Sequence, residues 1–258
     1  MAKSTSVDLE STYRFPRFAH LHFKIKLSPL RSRWRRLARQ LFPSAVCNAD
    51  PGTPKVVDAL EKITPSFRSQ GWAYIDGMWD RDFHGQLVAQ WPNDRYFIPI
   101  KYITKSYDVG MTWSQEMTSD PEFLDSFPAY KAAYDYLRSP EFCARVTELA
   151  GDGVKRKCSQ IILTRAYWGS SIIPHIDSSN FAGNVNFVMF VNGTGGERGG
   201  GLGIWKDNEF KEKIFAPDKL KNTCIVYDMS DSFYHGFEPM AFGKFRCTIN
   251  STYVPVKN

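Results

Sequence analysis

Three side chains of types that commonly bind metal ions stand out in the sequence. His175 and Asp177 lie two residues apart in the stretch PHIDSSNF, and His235 follows in SFYHGFEP. The HxD pair alone is weak evidence, because a chance match is common in a chain with this many aspartates. Two imidazoles and one carboxylate on one face of a metal leave the opposite face open, which suits a non-haem Fe(II) that binds an organic chelator and O2. The three residues together therefore predict an exchangeable metal site.

A further residue that could bind a ligand is Arg246, in the stretch KFRCTINSTYV. On a strand of period two, Arg246, Thr248 and Asn250 share one face. A guanidinium buried inside a β-barrel is costly unless a carboxylate meets it, and this strand face holds none. A bound dicarboxylate is therefore the natural partner of Arg246, and the hydroxyl of Thr248 would add a hydrogen bond to it.

Short β-rich segments, separated by Gly, Asn, Asp and Pro, carry these residues. These segments predict an antiparallel sandwich or barrel. The arrangement typical of eight such strands is a jelly roll of two sheets. The eight predicted strands are QIILTRAYW, SSIIPHI, NVNFVMFVN, GLGIWKD, EFKEKIFA, NTCIVYDM, SFYHGFEP and FRCTINSTYV.

Helices dominate the part of the chain before these strands. The stretch Ser119–Ala150 keeps a 3.6-residue apolar period after an Asp-Pro start. TPKVVDALEKITPSF and RDFHGQLVAQW are also helical in pattern, whereas GWAYIDGMW alternates like a strand. The predicted fold is α+β, with a jelly-roll (double-stranded β-helix) core over about residues 158–256, preceded and flanked by helices, in a domain of residues 53–258.

The positive charge of the chain is concentrated in its N-terminal segment. The net charge is +6; residues 1–42 hold ten Lys or Arg against Asp8 and Glu10, which gives +8 and leaves 6 − 8 = −2 for residues 43–258. Within the predicted segment 1–52, residues 28–43 have the pattern of a basic amphipathic helix, and residues 47–54 that of a linker. Such a helix binds an anionic membrane surface, contacts nucleic acid or packs its apolar stripe on the domain. We expect membrane contact ahead of nucleic acid.

Several protein classes are not expected. The five cysteines have neither a CxxC pair nor regular spacing, which argues against a disulfide framework and a structural zinc site. No secretory signal or apolar run of about 18 residues is visible. These features predict a cytoplasmic protein, with peripheral contact at the inner membrane surface if the basic helix binds lipid.

Taken together, an HxD, a distal His and an Arg with Thr two residues later, spread over eight C-terminal strands, resemble the Fe(II)/2-oxoglutarate-dependent dioxygenase superfamily. The pattern is most similar to the prolyl-hydroxylase-like branch, in which a Tyr on the first strand precedes the HxD and a Gly-rich turn leads into the fourth strand. The corresponding positions are Tyr167 and the stretch GTGGERGGGLGIW. GWAYIDGMWDRDF resembles the strand and helix that open many members, so the resemblance covers about residues 71–256.

The resemblance implies specific roles for the site residues. His175, Asp177 and His235 would ligate iron, Arg246 would bind the C5 carboxylate of 2-oxoglutarate, and Thr248 would assist. The cosubstrate would be decarboxylated by O2 to succinate and CO2 while the enzyme oxidises a C–H bond.

Two further assignments follow from the same resemblance. Tyr167 would donate a hydrogen bond to the cosubstrate, or Arg165 would do so if the strand register differs. Related halogenases have Gly or Ala in place of the carboxylate ligand, so the presence of Asp177 favours hydroxylation or a related oxidation.

The implied substrate is a small molecule or a membrane-associated glycan or lipid, and residues 91–113 could line its pocket. One alternative is a cupin-like metal-binding protein or sensor without turnover. Arg246 and Thr248 argue against it, because a sensor that does not bind the cosubstrate needs no residues to hold its carboxylate. Another is a nucleic-acid-modifying oxygenase, which the net negative charge of residues 43–258 argues against, so no nucleic-acid partner is expected.

Other motifs are expected to be structural. His20 and His22 lie in the basic segment, and His84 has no partner spacing that would indicate a metal site. The Gly-rich run lacks the ending of a phosphate-binding loop and is expected to be a turn. Asp228 and Asp231 are expected in the turn before the seventh predicted strand.

Overall fold

The computed structural model describes residues 52, 54, 59–93, 96–101, 108–111, 118–177, 182–196, 198–229 and 233–256. These residues all belong to one compact unit, Cys47–Asn258. The predicted amphipathic helix and most of the predicted linker lie outside them, so the N-terminal boundary at residue 52 stays a prediction.

Five described helices precede the main run of strands, where the apolar periodicity predicted helical structure. Aspartates begin two of them: Asp80 accepts hydrogen bonds from the backbone of Asp82 and Phe83, and Asp120 does the same for Glu122 and Phe123. Proline occupies the first turn of the last three, where its missing N–H needs no partner. The helices are α1 (Ala59–Gln70), α2 (Arg81–Ala89), α3 (Pro121–Ser126), α4 (Pro128–Arg138) and α5 (Pro140–Ala150).

The described strands form two sheets. The larger has seven strands in the order β1-β9-β6-β11-β4-β3-β2, and the smaller has four in the order β5-β10-β7-β8. The strands are β1 (Trp72–Asp76), β2 (Ile98–Lys101), β3 (Asp108–Met111), β4 (Arg156–Tyr167), β5 (Ile172–His175), β6 (Val185–Gly193), β7 (Gly203–Trp205), β8 (Lys213–Phe215), β9 (Thr223–Asp228), β10 (Tyr234–Phe237) and β11 (Phe245–Pro255).

The eight C-terminal strands, β4 to β11, confirm the predicted jelly roll. Four of them (β4, β11, β6, β9) form the centre of the larger sheet, and the other four (β5, β10, β7, β8) form the smaller one. Successive strands therefore alternate between the two sheets, except that β7 and β8 pair with each other in the smaller one, which is the jelly-roll topology. The two sheets stay separate instead of closing into a barrel.

The larger sheet extends beyond the jelly roll at both edges. The predicted strand β1 pairs with β9, whereas β2 and β3 form a hairpin that pairs with β4. Residues 91–113 were predicted only as a candidate pocket segment, so these two short strands were not expected. The four-residue segments IPIK and DVGM are too short for a clear period-two pattern.

The main core lies between the larger sheet and the helices. Phe142 of α5 packs against Phe187 and Tyr253, and the hydroxyl of Tyr253 donates to the carbonyl of Leu137 at 2.8 Å. A smaller cluster, which includes Phe190, Ile204 and Tyr227, fills the space between the two sheets. Among the described residues, no helix is both long enough and apolar enough to cross a membrane.

Candidate functional site

The two strands β5 and β10 bring the three predicted metal ligands together. They pair antiparallel with His175 directly opposite His235, and the centroids of the two imidazole rings are 4.4 Å apart. Asp177, just after β5, has Oδ1 at 3.9 Å from Nε2 of His175 and Oδ2 at 3.5 Å from Nε2 of His235. One ligand atom from each residue lies within 4.8 Å of the others. Residues 60 positions apart therefore form one potential metal centre.

A glycine allows the close approach of these two strands. Gly236 follows His235, and a Cβ atom there would lie 2.5 Å from the carbonyl oxygen of Ile172 and 2.8 Å from backbone atoms of Pro174. Backbone atoms cannot move aside as a flexible side chain can. The pairing of His175 with His235 therefore depends on a glycine at position 236.

The electrostatic environment of the three side chains suits a divalent metal. His235 is buried, and burial lowers its pKa well below the usual value, with an additional effect from His175. A histidine must be neutral to ligate a metal, and this environment keeps it so at neutral pH. Burial raises the pKa of Asp177, with His175 acting in the opposite direction. Oδ2 of Asp177 is buried without a hydrogen-bond partner among the described residues, so it is available as a ligand atom.

The orientation of His175 also fits a metal ligand. Its Nδ1 lies 3.0 Å from the carbonyl oxygen of Ile173, which makes Nδ1–H the donor and leaves the lone pair on Nε2, the nitrogen that faces Asp177. Such a bond on the far nitrogen commonly fixes the ring of a metal-bound histidine. The donor set of two imidazoles and one carboxylate thus fits Fe(II).

Arg246 lies at the start of β11 in a nearly closed environment. Its side chain is 4% exposed, and its guanidinium carbon lies 3.9 Å from the ring centroid of Phe237 and 5.9 Å from that of Phe190. Nη1 donates to the carbonyl oxygen of Gly200, whereas Nε has no hydrogen-bond partner among the described residues. The guanidinium is held in place with part of its hydrogen-bonding capacity unused.

The charge of Arg246 lacks a compensating carboxylate in the described part of the chain. Burial lowers its pKa to about 9, and Cys247 is the one charged or titratable neighbour that acts against this effect. A buried cation without a counter-ion is unfavourable, so the site favours an anionic ligand. A carboxylate that accepts two hydrogen bonds from the guanidinium would neutralise its charge and use its free N–H groups.

The structure connects Arg246 to the metal centre through β10. The ring of Phe237 under the guanidinium lies two residues after His235, a distance of about 6.6 Å along a strand. On β11, Thr248 faces Thr164 of β4, and their hydroxyl groups are hydrogen-bonded. The ring that packs against the Arg246 guanidinium and one of the three clustered side chains thus lie on the same short strand, β10.

Tyr167, the predicted cosubstrate contact, does not join this group. It pairs with Phe245, and Arg165 pairs with Cys247, whereas Arg246 pairs with Ala166. Directly opposite residues share a face, so Tyr167 and Arg165 lie on the face opposite to that of Arg246. Tyr167 is also 48% exposed at the end of β4. The motif predicted the order of residues along β4 but not which face each side chain would occupy.

Tyr227 is a site neighbour that the sequence analysis missed. Its ring centroid lies 4.6 Å from that of His235, and its hydroxyl accepts a hydrogen bond from Nδ2 of Asn186 at 2.8 Å. Thr252 in turn donates to Oδ1 of Asn186. These four residues come from four different strands, so a local sequence motif could not reveal the contact. By contrast, the close approach of β5 and β10 had a local sequence signal. A glycine inside a predicted strand, as at Gly236, often marks a place where another backbone comes close.

The remaining histidine and loop predictions concern residues away from the site. His84 is buried on α2, with Nε2 at 2.7 Å from the carbonyl oxygen of Val191, which is a structural contact. The described residues of the Gly-rich run form the turn between β6 and β7, and Asp228 ends β9. His20, His22 and Asp231 lie outside the described residues, as does much of residues 91–113.

The fold resembles that of several solved structures at low sequence identity. A prolyl hydroxylase from Trichoplax adhaerens, in complex with a hypoxia inducible factor peptide fragment, matches with a TM-score of 0.56 and 12% identity over 76% of this chain and 89% of that chain. A prolyl-4-hydroxylase from Pseudomonas putida matches with a TM-score of 0.55 and 16% identity over 76% of this chain and 99% of the other.

HygX from Streptomyces hygroscopicus, with nickel, 2-oxoglutarate and hygromycin B bound, matches with a TM-score of 0.56 and 8% identity over 76% of this chain and 87% of that one. No protein-family model and no curated protein sequence matches the chain. The chain thus shares the jelly-roll fold of prolyl hydroxylases and other 2-oxoglutarate oxygenases, which confirms the resemblance at the level of the fold.

Proposed function

We propose that the chain is an Fe(II)- and 2-oxoglutarate-dependent dioxygenase, an oxidoreductase that hydroxylates an unactivated C–H bond and releases succinate and CO2. One observation carries the proposal: His235, which clusters with His175 and Asp177, lies two residues along β10 from Phe237. The ring of Phe237 packs under the guanidinium of Arg246, which has no carboxylate partner among the described residues. A metal site alone occurs in many proteins. A metal site next to a buried cation without a counter-ion fits a chelating ligand that also carries a distal carboxylate.

Each residue has a physical role in this proposal. His175, Asp177 and His235 would hold the iron, which would supply the oxidative chemistry when bound together with O2. Arg246 would bind the distal carboxylate of 2-oxoglutarate, and Thr248 would add a hydroxyl hydrogen bond. The rings of Phe237 and Phe190 exclude water from the guanidinium, which strengthens its interaction with an anion. These residues would thereby fix the orientation of the cosubstrate with respect to the metal ligands.

The proposed substrate is a small molecule or a membrane-associated glycan or lipid. Hygromycin B, bound to HygX, is an example of a small molecule held by a protein of similar fold. We expect no nucleic-acid substrate, because residues 43–258 carry a net charge of −2.

Metal binding is tested by changing one buried histidine at the site and one away from it. His235→Gln should lose most of the Fe(II) that the wild-type protein retains after anaerobic equilibrium dialysis. His84→Gln is the matched control, because His84 is also buried but contacts the backbone of β6. Retention of stoichiometric iron by His235→Gln, or equal loss by the two variants, would refute the assignment.

Turnover is tested with wild-type protein that has been loaded with Fe(II) under anaerobic conditions. Addition of 2-oxoglutarate and O2, with a panel of candidate substrates, should release succinate, which mass spectrometry detects. Tight metal binding with neither binding nor decarboxylation of 2-oxoglutarate would instead favour the cupin-like sensor.

A further inference from the structure

Three of the most exposed large apolar side chains lie together at one end of the jelly roll. Phe242 is 84% exposed, Trp168 is 65% exposed and Tyr167 is 48% exposed. The rings of Trp168 and Phe242 are in edge-to-face contact, with centroids 5.7 Å apart. We call these three residues the aromatic tip. Single exposed apolar residues are common on protein surfaces, but a cluster of aromatic side chains is typical of an interaction site.

The backbone holds the aromatic tip in a fixed arrangement. Trp168 lies in the β4–β5 loop and Phe242 in the β10–β11 loop, and two backbone hydrogen bonds join the loops. Gly169 donates to the carbonyl of Met240, and Met240 donates to the carbonyl of Ser170. Met240 itself is buried beneath them. Because the loops are already connected, little conformational entropy would be lost when the rings bind a partner.

The area of the aromatic tip is small for a protein interface. At about 200 Å² for a whole aromatic side chain, the exposed parts of the three rings offer about 400 Å². A stable protein–protein interface buries about 800 Å² on each partner. Aromatic rings of this kind are, however, enriched at the boundary between lipid headgroups and acyl chains.

The charges next to the aromatic tip are complementary to anionic lipid. Arg198 is exposed, and its carbonyl accepts a hydrogen bond from Ala241, the residue before Phe242. Lys244 ends the turn that begins at Ala241; it is half-buried, and its Nζ donates one hydrogen bond to the carbonyl of Gly195. The one carboxylate of the two loops, Glu238, is paired with Lys213 at 2.8 Å. The two loops and Arg198 thus present apolar rings beside two cations.

We propose that the aromatic tip is a peripheral membrane-binding site for an anionic phospholipid surface. Trp168 and Phe242 would enter the headgroup region. Arg198 and Lys244, whose Nε and Nζ each donate one hydrogen bond to a backbone carbonyl, would contact lipid phosphates through their remaining N–H groups. The strand directions separate this surface from the proposed metal centre. β5 runs from the tip towards His175, and β10 runs from His235 back towards the tip, so the aromatic tip and the clustered histidines lie towards different ends of these two strands.

The first experiment measures co-sedimentation of the full chain with vesicles of phosphatidylcholine and phosphatidylglycerol. The double variant Trp168→Ala/Phe242→Ala should reduce the partition coefficient by about 100-fold, on the order of tenfold for each ring. Both side chains are exposed, so the unfolding temperature should stay unchanged. Ile214→Ala is the matched control, because Ile214 is 46% exposed on β8, outside the tip, and should leave partitioning unchanged.

The basic residues 1–42 are present in every variant, so a difference between variants cannot come from them. If the double variant partitions like the wild-type protein, those residues account for any membrane binding and the proposal is wrong. It is equally wrong if the double variant changes the oligomeric state in sedimentation velocity without affecting vesicle binding, since the tip would then contact a second copy of the chain.

The second experiment uses vesicles that contain brominated lipid, which quenches tryptophan fluorescence at the bilayer interface. Trp168→Phe keeps an aromatic ring but removes this fluorophore. Its partitioning should stay within about threefold of the wild-type value, while the quenching should decrease markedly. Quenching equal to that of the wild-type protein would show that Trp168 does not enter the membrane and would overturn the proposal.

Discussion

Replacing Arg246 by glutamine should have opposite effects on cosubstrate binding and on folding. The guanidinium is 4% exposed, packs on Phe237 at 3.9 Å and has no carboxylate partner among the described residues. Its charge is therefore unfavourable in the ligand-free protein and becomes favourable when a carboxylate binds. A neutral side chain removes the penalty in the first state and the attraction in the second.

The expected loss of affinity for 2-oxoglutarate follows from the burial of the ion pair that its carboxylate would form with Arg246. Removing one partner of a buried, hydrogen-bonded charge pair costs about 2–5 kcal/mol. The dissociation constant of 2-oxoglutarate should then rise by about 30-fold to 3,000-fold, since each 1.4 kcal/mol corresponds to about a factor of ten. By contrast, the free energy of unfolding of the ligand-free protein should not fall, because the lost hydrogen bond to the carbonyl of Gly200 is offset by removal of the buried charge.

Anaerobic calorimetric titration of 2-oxoglutarate into Fe(II)-loaded protein measures the first quantity, and urea unfolding of the ligand-free protein measures the second. Arg145→Gln is the matched control: it removes the same charge from α5, where Arg145 pairs with Glu141 on the surface. This control should bind 2-oxoglutarate like the wild-type protein.

Two results would refute the reasoning. If Arg246→Gln binds 2-oxoglutarate as tightly as the wild-type protein, the guanidinium does not hold the distal carboxylate. If the variant loses several kcal/mol of stability without ligand, Arg246 is a structural residue and its lack of a counter-ion has been misinterpreted.

Three further substitutions test contacts that stabilise the fold. Gly236→Ala places a Cβ atom against the backbone of β5 and should destabilise the protein by about 1–3 kcal/mol in urea unfolding while also weakening Fe(II) binding. Tyr253→Phe removes the hydrogen bond to the carbonyl of Leu137 and should lower the free energy of unfolding by about 1–2 kcal/mol without changing the urea dependence. The hydrogen bond from Arg156 lowers the pKa of Asp152 from 3.8 to about 2, so its stabilisation is present above pH 3.8 and is lost as the pH falls through about 2. The stability difference between wild-type protein and Asp152→Asn should therefore narrow over that pH range in acid unfolding.

The sequence predicted most of the fold because local patterns agree with the tertiary structure there. Each of the eight predicted jelly-roll strands is present, and the Asp-Pro start at residue 120 begins a helix as expected. Strands β2 and β3 were missed because four residues give too little periodicity, and their strand state depends on pairing with β4.

The site was predicted unevenly, and the reason is geometric. His175, Asp177, His235 and Arg246 were singled out by residue type and spacing; the structure brings the first three within reach of one ion, and the roles of all four stay predictions. Tyr167 was misplaced because a difference of one residue in register moves a side chain to the other face of a sheet.

The sequence by itself determined where the eight C-terminal strands lie along the chain and predicted metal-binding side chains and an anionic partner for Arg246, since these depend on residue chemistry and period-two alternation. Only the tertiary structure decided that His175 lies directly opposite His235, that Phe237 packs under Arg246, and that Trp168 meets Phe242 in an exposed cluster. Each of these contacts joins strands or loops that are distant in the chain. Which residues meet in such contacts depends on the register in which the strands pair. That register is set by backbone pairing across the whole sheet and is not encoded in any local pattern of residues.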